Sequence, residues 1–288
     1  MSATRLYSLF PRRDAKGAEG REKIGIMLVD AHCHPFDLAE HLENAEEERR
    51  RFGIICASSA TTLEEFEYCE RLSLKAKEDK APPLLPCFAV HPQMPLVMGE
   101  EKTQDSLSIL DTLAAQKRLG AVGETGFDLY NAAFKETEGI QDELFAAHLE
   151  IALRYDLPLV IHSRRAIHKI FANAVALKKC RAVIFHSWSG TTGEGETLLT
   201  RGINAFFSFG AVIMLNHKKT MRCCAVFPAD RLLTETDAPF QPPRSKEFSS
   251  YTDISAILGT METLRGCAAS GGTEMERIIE TNFRAAFY

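Results

Sequence analysis

The sequence predicts an α/β protein built as a (β/α)8 barrel, and three observations carry that reading. Eight short apolar runs recur along the 288 residues, amphipathic helical stretches separate them, and an ionisable residue closes most of the runs. Strands that alternate with helices pair in parallel through right-handed crossovers, and a barrel of about 250 residues fits the length. The alternative is an open, doubly wound sheet, which calls for a Gly-rich phosphate turn after its first strand. Here the first strand runs into histidines instead.

In order, the expected strands are MLVD (27–30), GIICAS (53–58), LLPCFAV (84–90), LGAVGE (119–124), PLVIH (158–162), AVIFH (182–186), INAFFSF (203–209) and RLLTE (231–235). Each is a short apolar run, the pattern of a strand buried on both faces. The helices expected between them include EHLENAEEERRRFG (40–53), TTLEEFEYCERLSLKAKE (61–78) and GIQDELFAAHLEIALRYDLP (139–158). The last spaces leucine, phenylalanine and isoleucine by three and four residues, which lines one helix face with apolar side chains. No repeat of solenoid period and no linker divides residues 27–288, so one domain is expected there. Residues 1–26 have scattered charge, no amphipathic period and no apolar core of a signal peptide, and predict a disordered extension.

The formal net charge of −5 argues against a protein that coats nucleic acid through bulk positive charge. No stretch reaches the ~20 apolar residues of a membrane-spanning helix. The eight cysteines (33, 56, 69, 87, 180, 223, 224 and 267) show no C-x-x-C spacing and read as reduced, packed thiols. The expected location is the cytoplasm, or the nucleus in a eukaryote.

The chemistry lies at the strand ends. His32 and His34 follow the first run, His91 the third, and Asp237 the eighth, while Glu124, His162 and His186 end the fourth, fifth and sixth. In a barrel all seven fall on the C-terminal rim, where active sites are built. Positions i and i+2 of a strand point the same way, so His32 and His34 face one point. A single catalytic zinc takes three protein ligands and a water. Six candidates, His32, His34, Glu124, His162, His186 and Asp237, therefore point to two divalent ions. In barrel order His32, His34 and Asp237 belong to one ion, His162 and His186 to the other, with Glu124 between. Mixed imidazole and carboxylate donors suit zinc or manganese, and magnesium less well. Paired metals acidify a water and neutralise phosphate oxygens, so hydrolysis of a phosphate ester is expected. Asp237 is placed to take the water's proton.

In order, DAHCHPFD, AVHP, GETGFD, IHSR, FHSWSG and ETDAP resemble the TatD-type metal-dependent deoxyribonucleases of the amidohydrolase superfamily, from about Met27 to the C-terminus. The resemblance implies a TIM barrel, divalent metals, and 3′→5′ exonuclease activity on DNA, often single-stranded. It carries the family's metal positions onto the same six residues and its substrate-side histidine onto His91. Ala89 stands where the family usually has glycine, Thr125 and Phe127 depart from its usual G-E-I-G-L-D, and Trp188 replaces a phenylalanine. None of these removes a ligand. Arg164, two residues beyond His162, is expected to touch phosphate. Arg165, Lys169, Lys218, Lys219, Arg222, Arg244 and Lys246 either join it or form solvated faces. Trp188 and Phe240 either stack on a terminal base or pack into core and loops. Two other readings stay open: a hydrolase of the same barrel acting on another ester or amide, and a non-catalytic binding protein on a retained barrel.

Overall fold

The computed structural model describes residues 25–244, 246–267 and 273–288. The proposed extension thus lies, but for its last two residues, outside the described residues. The eight apolar runs form one eight-stranded parallel sheet in sequence order. Its strands are Leu28–Cys33 (β1), Ile54–Ser58 (β2), Leu84–Phe88 (β3), Ala121–Asp128 (β4), Leu159–Arg164 (β5), Val183–Phe185 (β6), Ala205–Phe209 (β7) and Leu232–Thr234 (β8). The end of β8 and the chain after it close the ring against β1. The Thr234 hydroxyl donates to the Val29 carbonyl (2.7 Å), the Asp237 amide to the His32 carbonyl (2.9 Å) and the His34 amide to the Ala238 carbonyl (2.8 Å). Helices alternate with the strands, as a (β/α)8 barrel requires. No helix among the described residues is long and apolar enough to cross a membrane.

Strand bounds shift, β1 running on to Cys33 and β5 to Arg164, and two elements differ for a local reason. The single helix expected over 40–53 is two, Pro35–His41 and Ala45–Arg51. Glu46–Glu48 occupy the first turn of the second and Arg49–Arg51 its last, an arrangement that complements the helix dipole and so favours a fresh start at Ala45. Arg49 is fully buried, yet its guanidinium pairs with Glu46 and donates to the carbonyls of Ile54, Pro82 and Pro83. Those bonds fasten this helix to the start of β2.

The other difference is β4, expected to end at Glu124 but continuing to Asp128. It pairs with β5 through Thr125–Ile161, Gly126–His162 and Asp128–Arg164, after an irregularity between Val122 and Thr125. Glycine makes this approach possible. A Cβ on Gly126 would lie 2.0 Å from the His162 carbonyl oxygen, and its φ of +134° is one that other residues rarely adopt. A Cβ on Gly123 would lie 2.4 Å from that of Val160. The two glycines bracketing Glu124 let β4 press against β5, bringing Glu124 and His162 side by side.

Gly126→Ala is therefore expected to cost more than about 3 kcal/mol, or to prevent folding, because the backbone itself must move. Gly139→Ala, at a helical position with nothing within 4 Å of the new Cβ, should be neutral or stabilise by up to about 1 kcal/mol. Urea denaturation of the two variants measures the contrast, and equal midpoints would show that the β4–β5 approach is not constrained as described.

Candidate metal centre

All seven ionisable strand-end residues meet inside the barrel mouth. His32 lies within β1 and His34 just beyond it, and their Nε2 atoms are 3.2 Å apart. Asp237 joins them because the chain turns back after β8 with Asp237 at φ +56°, a left-handed conformation that aspartate tolerates better than most residues. Its Oδ1 lies 3.4 Å from His34 Nε2 and 3.6 Å from His32 Nε2. Cys33, pointing the other way, is buried with its sulfur toward the Ala57 carbonyl and the Tyr251 hydroxyl.

Glu124 sits at the centre, 3 % exposed. Its Oε2 faces His32 Nε2 at 3.2 Å. Its Oε1 accepts from His162 Nδ1 at 2.7 Å and faces His91 Nε2 at 3.5 Å and His186 Nε2 at 3.6 Å. One carboxylate thus turns an oxygen toward each of two poles. At one pole stand His32, His34 and Asp237 from the β8–β1 seam, and at the other His91 and His162 from the ends of β3 and β5. The His186 ring lies against His32, centroids 3.8 Å apart, and 6.3 Å from the His162 ring.

Behind the imidazoles lie two carboxylates that the sequence reading did not single out, Glu235 although it ends the eighth run and Asp128 because it lies past the end of the fourth. Glu235 Oε2 accepts from His186 Nδ1 (3.0 Å) while its Oε1 accepts from the Ser187 amide (2.8 Å). Asp128, wholly buried, accepts from His162 Nε2 (3.3 Å) and the Gln93 side chain (2.7 Å). Gln141 holds its backbone through both amide and carbonyl. Burial opposes charge on His162 and His186. The bonds to Asp128 and Glu124 raise His162 to about 9 all the same, and Glu235, Glu124 and Asp237 raise His186 to about 10. Burial would likewise lift Glu124, but the surrounding His186, His91 and His32 and the bond from His162 hold it well below the usual carboxylate range. Asp30, below the site and bonded to Thr236, is pushed up to about 7, chiefly by burial.

A family model described as "TatD related DNase" matches residues 29–288. The chain belongs to the TatD-related DNase family. Its curated relatives include the uncharacterized metal-dependent hydrolase YcfH of Escherichia coli K12, 28 % identical over 278 residues that cover 91 % of this chain and 96 % of that one. Another is the uncharacterized metal-dependent hydrolase YabD of Bacillus subtilis, 28 % identical over 227 residues, 75 % of this chain and 82 % of that one. The crystal structure of YjjV, a TatD homologue from Escherichia coli K12, superposes with a TM-score of 0.77 at 25 % identity, covering 92 % of this chain and 99 % of that one.

The TatD-type donor set fits a metal in its chemistry. Three overlapping groups have donor atoms within 4.8 Å of one another: His32, His34 and Asp237; His32, Glu124 and His186; and His91, Glu124 and His162. Imidazole nitrogens and carboxylate oxygens at such spacing suit a borderline divalent cation. His91, given a substrate-side role by resemblance, stands among these donors, and it is His91 and not His186 that groups with Glu124 and His162.

The remaining candidates divide. Arg164 is exposed, its guanidinium 3.7 Å from the centre of the Tyr130 ring. Trp188, expected at the rim as a base platform, is 3 % exposed and packs against Phe185, Phe207 and Phe227. It offers no free face, so its part is in the core. Phe240 is 49 % exposed and meets His34 edge-on at 5.0 Å. Lys169 is paired with Glu138 and Asp142, and Lys246 with Asp253. Lys218, Lys219, Arg222 and Arg244 are exposed. His148, to which the sequence assigned nothing, is wholly buried and accepts the Val90 amide (2.9 Å), fixing the backbone next to His91.

Asp128→Asn and Glu235→Gln should each weaken divalent-metal affinity about 10- to 100-fold, because each orients a ligand imidazole; isothermal titration with Mn²⁺ or Zn²⁺ would read this, and unchanged affinity would count against it. Burial also pushes His148 down to about 4, against about 6.5 in an unfolded chain. Above pH 6.5 both states are neutral there. As pH falls from 6.5 to 4 only the unfolded chain takes up the proton, removing about 3 kcal/mol of stability. His148→Gln, which keeps an acceptor for the Val90 amide, should lose correspondingly less between pH 7 and pH 4 in urea titrations; parallel losses would contradict the assignment.

Proposed function

We propose that this chain is a metal-dependent phosphodiesterase acting on DNA, removing nucleotides from a strand end in the 3′→5′ direction. The observation that carries the reading is Glu124, which turns one oxygen to each of two histidine poles. Such a carboxylate suits a pair of divalent ions. When bound, such ions supply Lewis acidity that makes a water nucleophilic near neutral pH and offsets negative charge on a phosphodiester. His32, His34 and Asp237 would hold one ion, His91 and His162 the other, with Glu124 shared and His186 beside His32.

The chain's own side chains account for the remaining work. Burial opposes charge on Asp237, but His186 and the bond from His34 hold its pKa below the ordinary range, so the carboxylate is ionised and able to receive a proton at neutral pH. The Gln241 side chain donates to its Oδ2 at 2.6 Å, which leaves Oδ1 facing His32 and His34. Asp128 and Glu235 keep His162 and His186 oriented, so geometry is set before substrate arrives. Arg164, exposed two residues from His162 with its guanidinium 4.0 Å from Asp128, would meet a non-bridging phosphate oxygen.

The test is digestion of 3′- and 5′-labelled oligonucleotides over time with Mg²⁺, Mn²⁺, Zn²⁺ or chelator. Loss of label from the 3′ end first, abolished by chelator, is expected. Glu124→Ala should lower the rate at least about 100-fold while circular dichroism shows a folded chain. Cleavage at the wild-type rate by Glu124→Ala, or in chelator, would refute the reading.

A further inference from the structure

Two aromatic rings flank the metal centre, and both stand exposed on an anchored backbone. Phe240 follows β8, and its ring is half exposed and meets His34 edge-on. Its carbonyl accepts the Ser249 hydroxyl (2.5 Å), and the carbonyl before it, that of Pro239, accepts the Ser249 amide (2.9 Å). The next residue, Gln241, is bonded to Asp237 and Ser187. Tyr130 follows β4, is 43 % exposed, and is held in the same manner. Its amide donates to Asp128 Oδ1 (2.9 Å), and its carbonyl accepts from Arg165 Nη1 (3.0 Å). The Arg164 and Arg165 guanidiniums lie 3.7 and 4.6 Å from its ring centre.

Scattered exposed aromatics are ordinary on a protein surface. These two differ in where they stand. In a closed ring of eight strands β4 and β8 are four places apart in either direction, so Tyr130 and Phe240 stand on opposite sides of the mouth with the metal ligands between them. Both are tied to the site, Phe240 by its contact with His34 and Tyr130 through Asp128. Phe240 holds an apolar ring face in water on a fixed backbone, which suits a flat ligand that arrives and leaves. At Tyr130 the two guanidiniums cover the ring. Arg165 Nη1 is bonded to the Tyr130 carbonyl and Arg164 Nη1 lies 4.0 Å from Asp128 Oδ2, which leaves the other N–H groups of each to meet phosphate.

We propose that Tyr130 with Arg164 and Arg165, and Phe240 across the mouth, form two nucleotide subsites that hold an unpaired polynucleotide end over the metal centre. The inference rests on the phosphodiesterase reading and specifies which residues hold the strand on either side of the reacting phosphate. Stacking on Phe240 favours a base free of a complementary strand, which can be splayed from its neighbours to present a face. The Phe240 side offers stacking on a base. The Tyr130 side adds two cations for the backbone, a local positive charge on a chain of net charge −5.

The test is binding of a fluorescein-labelled phosphorothioate octathymidylate to the metal-loaded protein, followed by anisotropy across a range of salt. Phe240→Ala should weaken binding about tenfold with the salt slope unchanged, and Phe240→Tyr should restore the affinity. Arg164→Gln with Arg165→Gln should reduce the slope of log K against log salt by about 1.4, the value for two single-strand phosphate contacts. Bound metal per chain should be the same in every variant. Unchanged affinity in Phe240→Ala, or an unchanged slope in the double variant, would overturn the proposal. Binding is read without turnover, so a protein that cleaves DNA but shows neither effect refutes the subsites alone. One that shows both effects and cleaves nothing refutes the phosphodiesterase reading alone.

Discussion

The Glu124 carboxylate has four imidazoles within 3.6 Å, and the rest of the site is arranged around it. A buried charge of this kind is costly unless paired and hydrogen-bonded. Here the pairing comes from imidazoles that could also hold a metal ion, so the same geometry suits the protein with and without a cation. Protons on His162 and His186, both raised well above the ordinary histidine range against the cost of burial, balance the carboxylates. Cations would displace that positive charge, so metal uptake should be coupled to proton release.

Holding Glu124 there makes demands on the backbone. β4 must approach β5 more closely than side chains permit, which places glycine at 123 and 126. It must also continue to Asp128 so that a second carboxylate reaches the far nitrogen of His162. The β8–β1 seam meets the opposite need, carrying Asp237 to His32 and His34 through backbone bonds at the barrel's closure. The two poles therefore belong to opposite sides of the ring, and Glu124 is the link across it.

Much of this was legible in the sequence, because strand periodicity and strand-end chemistry are local signals. The eight runs, the barrel and the convergence of His32, His34, Glu124, His162, His186 and Asp237 at its mouth all follow from such signals. Asp128 was hidden because LGAVGE reads as a strand ending at Glu124. Extending the alternation would have placed Glu124, Gly126 and Asp128 at i, i+2 and i+4 on one face. Trp188 looked like a rim residue because it lies two positions past His186, but Phe207 and Phe227, the rings that complete its pocket beside Phe185, are distant in sequence. Lys169 and Lys246 looked free because their acidic partners lie on other turns of the chain. The grouping of His91 with Glu124 and His162 depended on how deep the AVHP turn sits, which the buried His148 sets from a helix 58 residues away.

In the proposed function one shared carboxylate, Glu124, would link two metal poles. An anomalous-difference map from crystals soaked in Mn²⁺ tests it most directly. Two peaks are expected on either side of Glu124, one against His32, His34 and Asp237 and the other against His91 and His162. A map with no peak at the barrel mouth, or with a single peak that Glu124 does not touch, would contradict it.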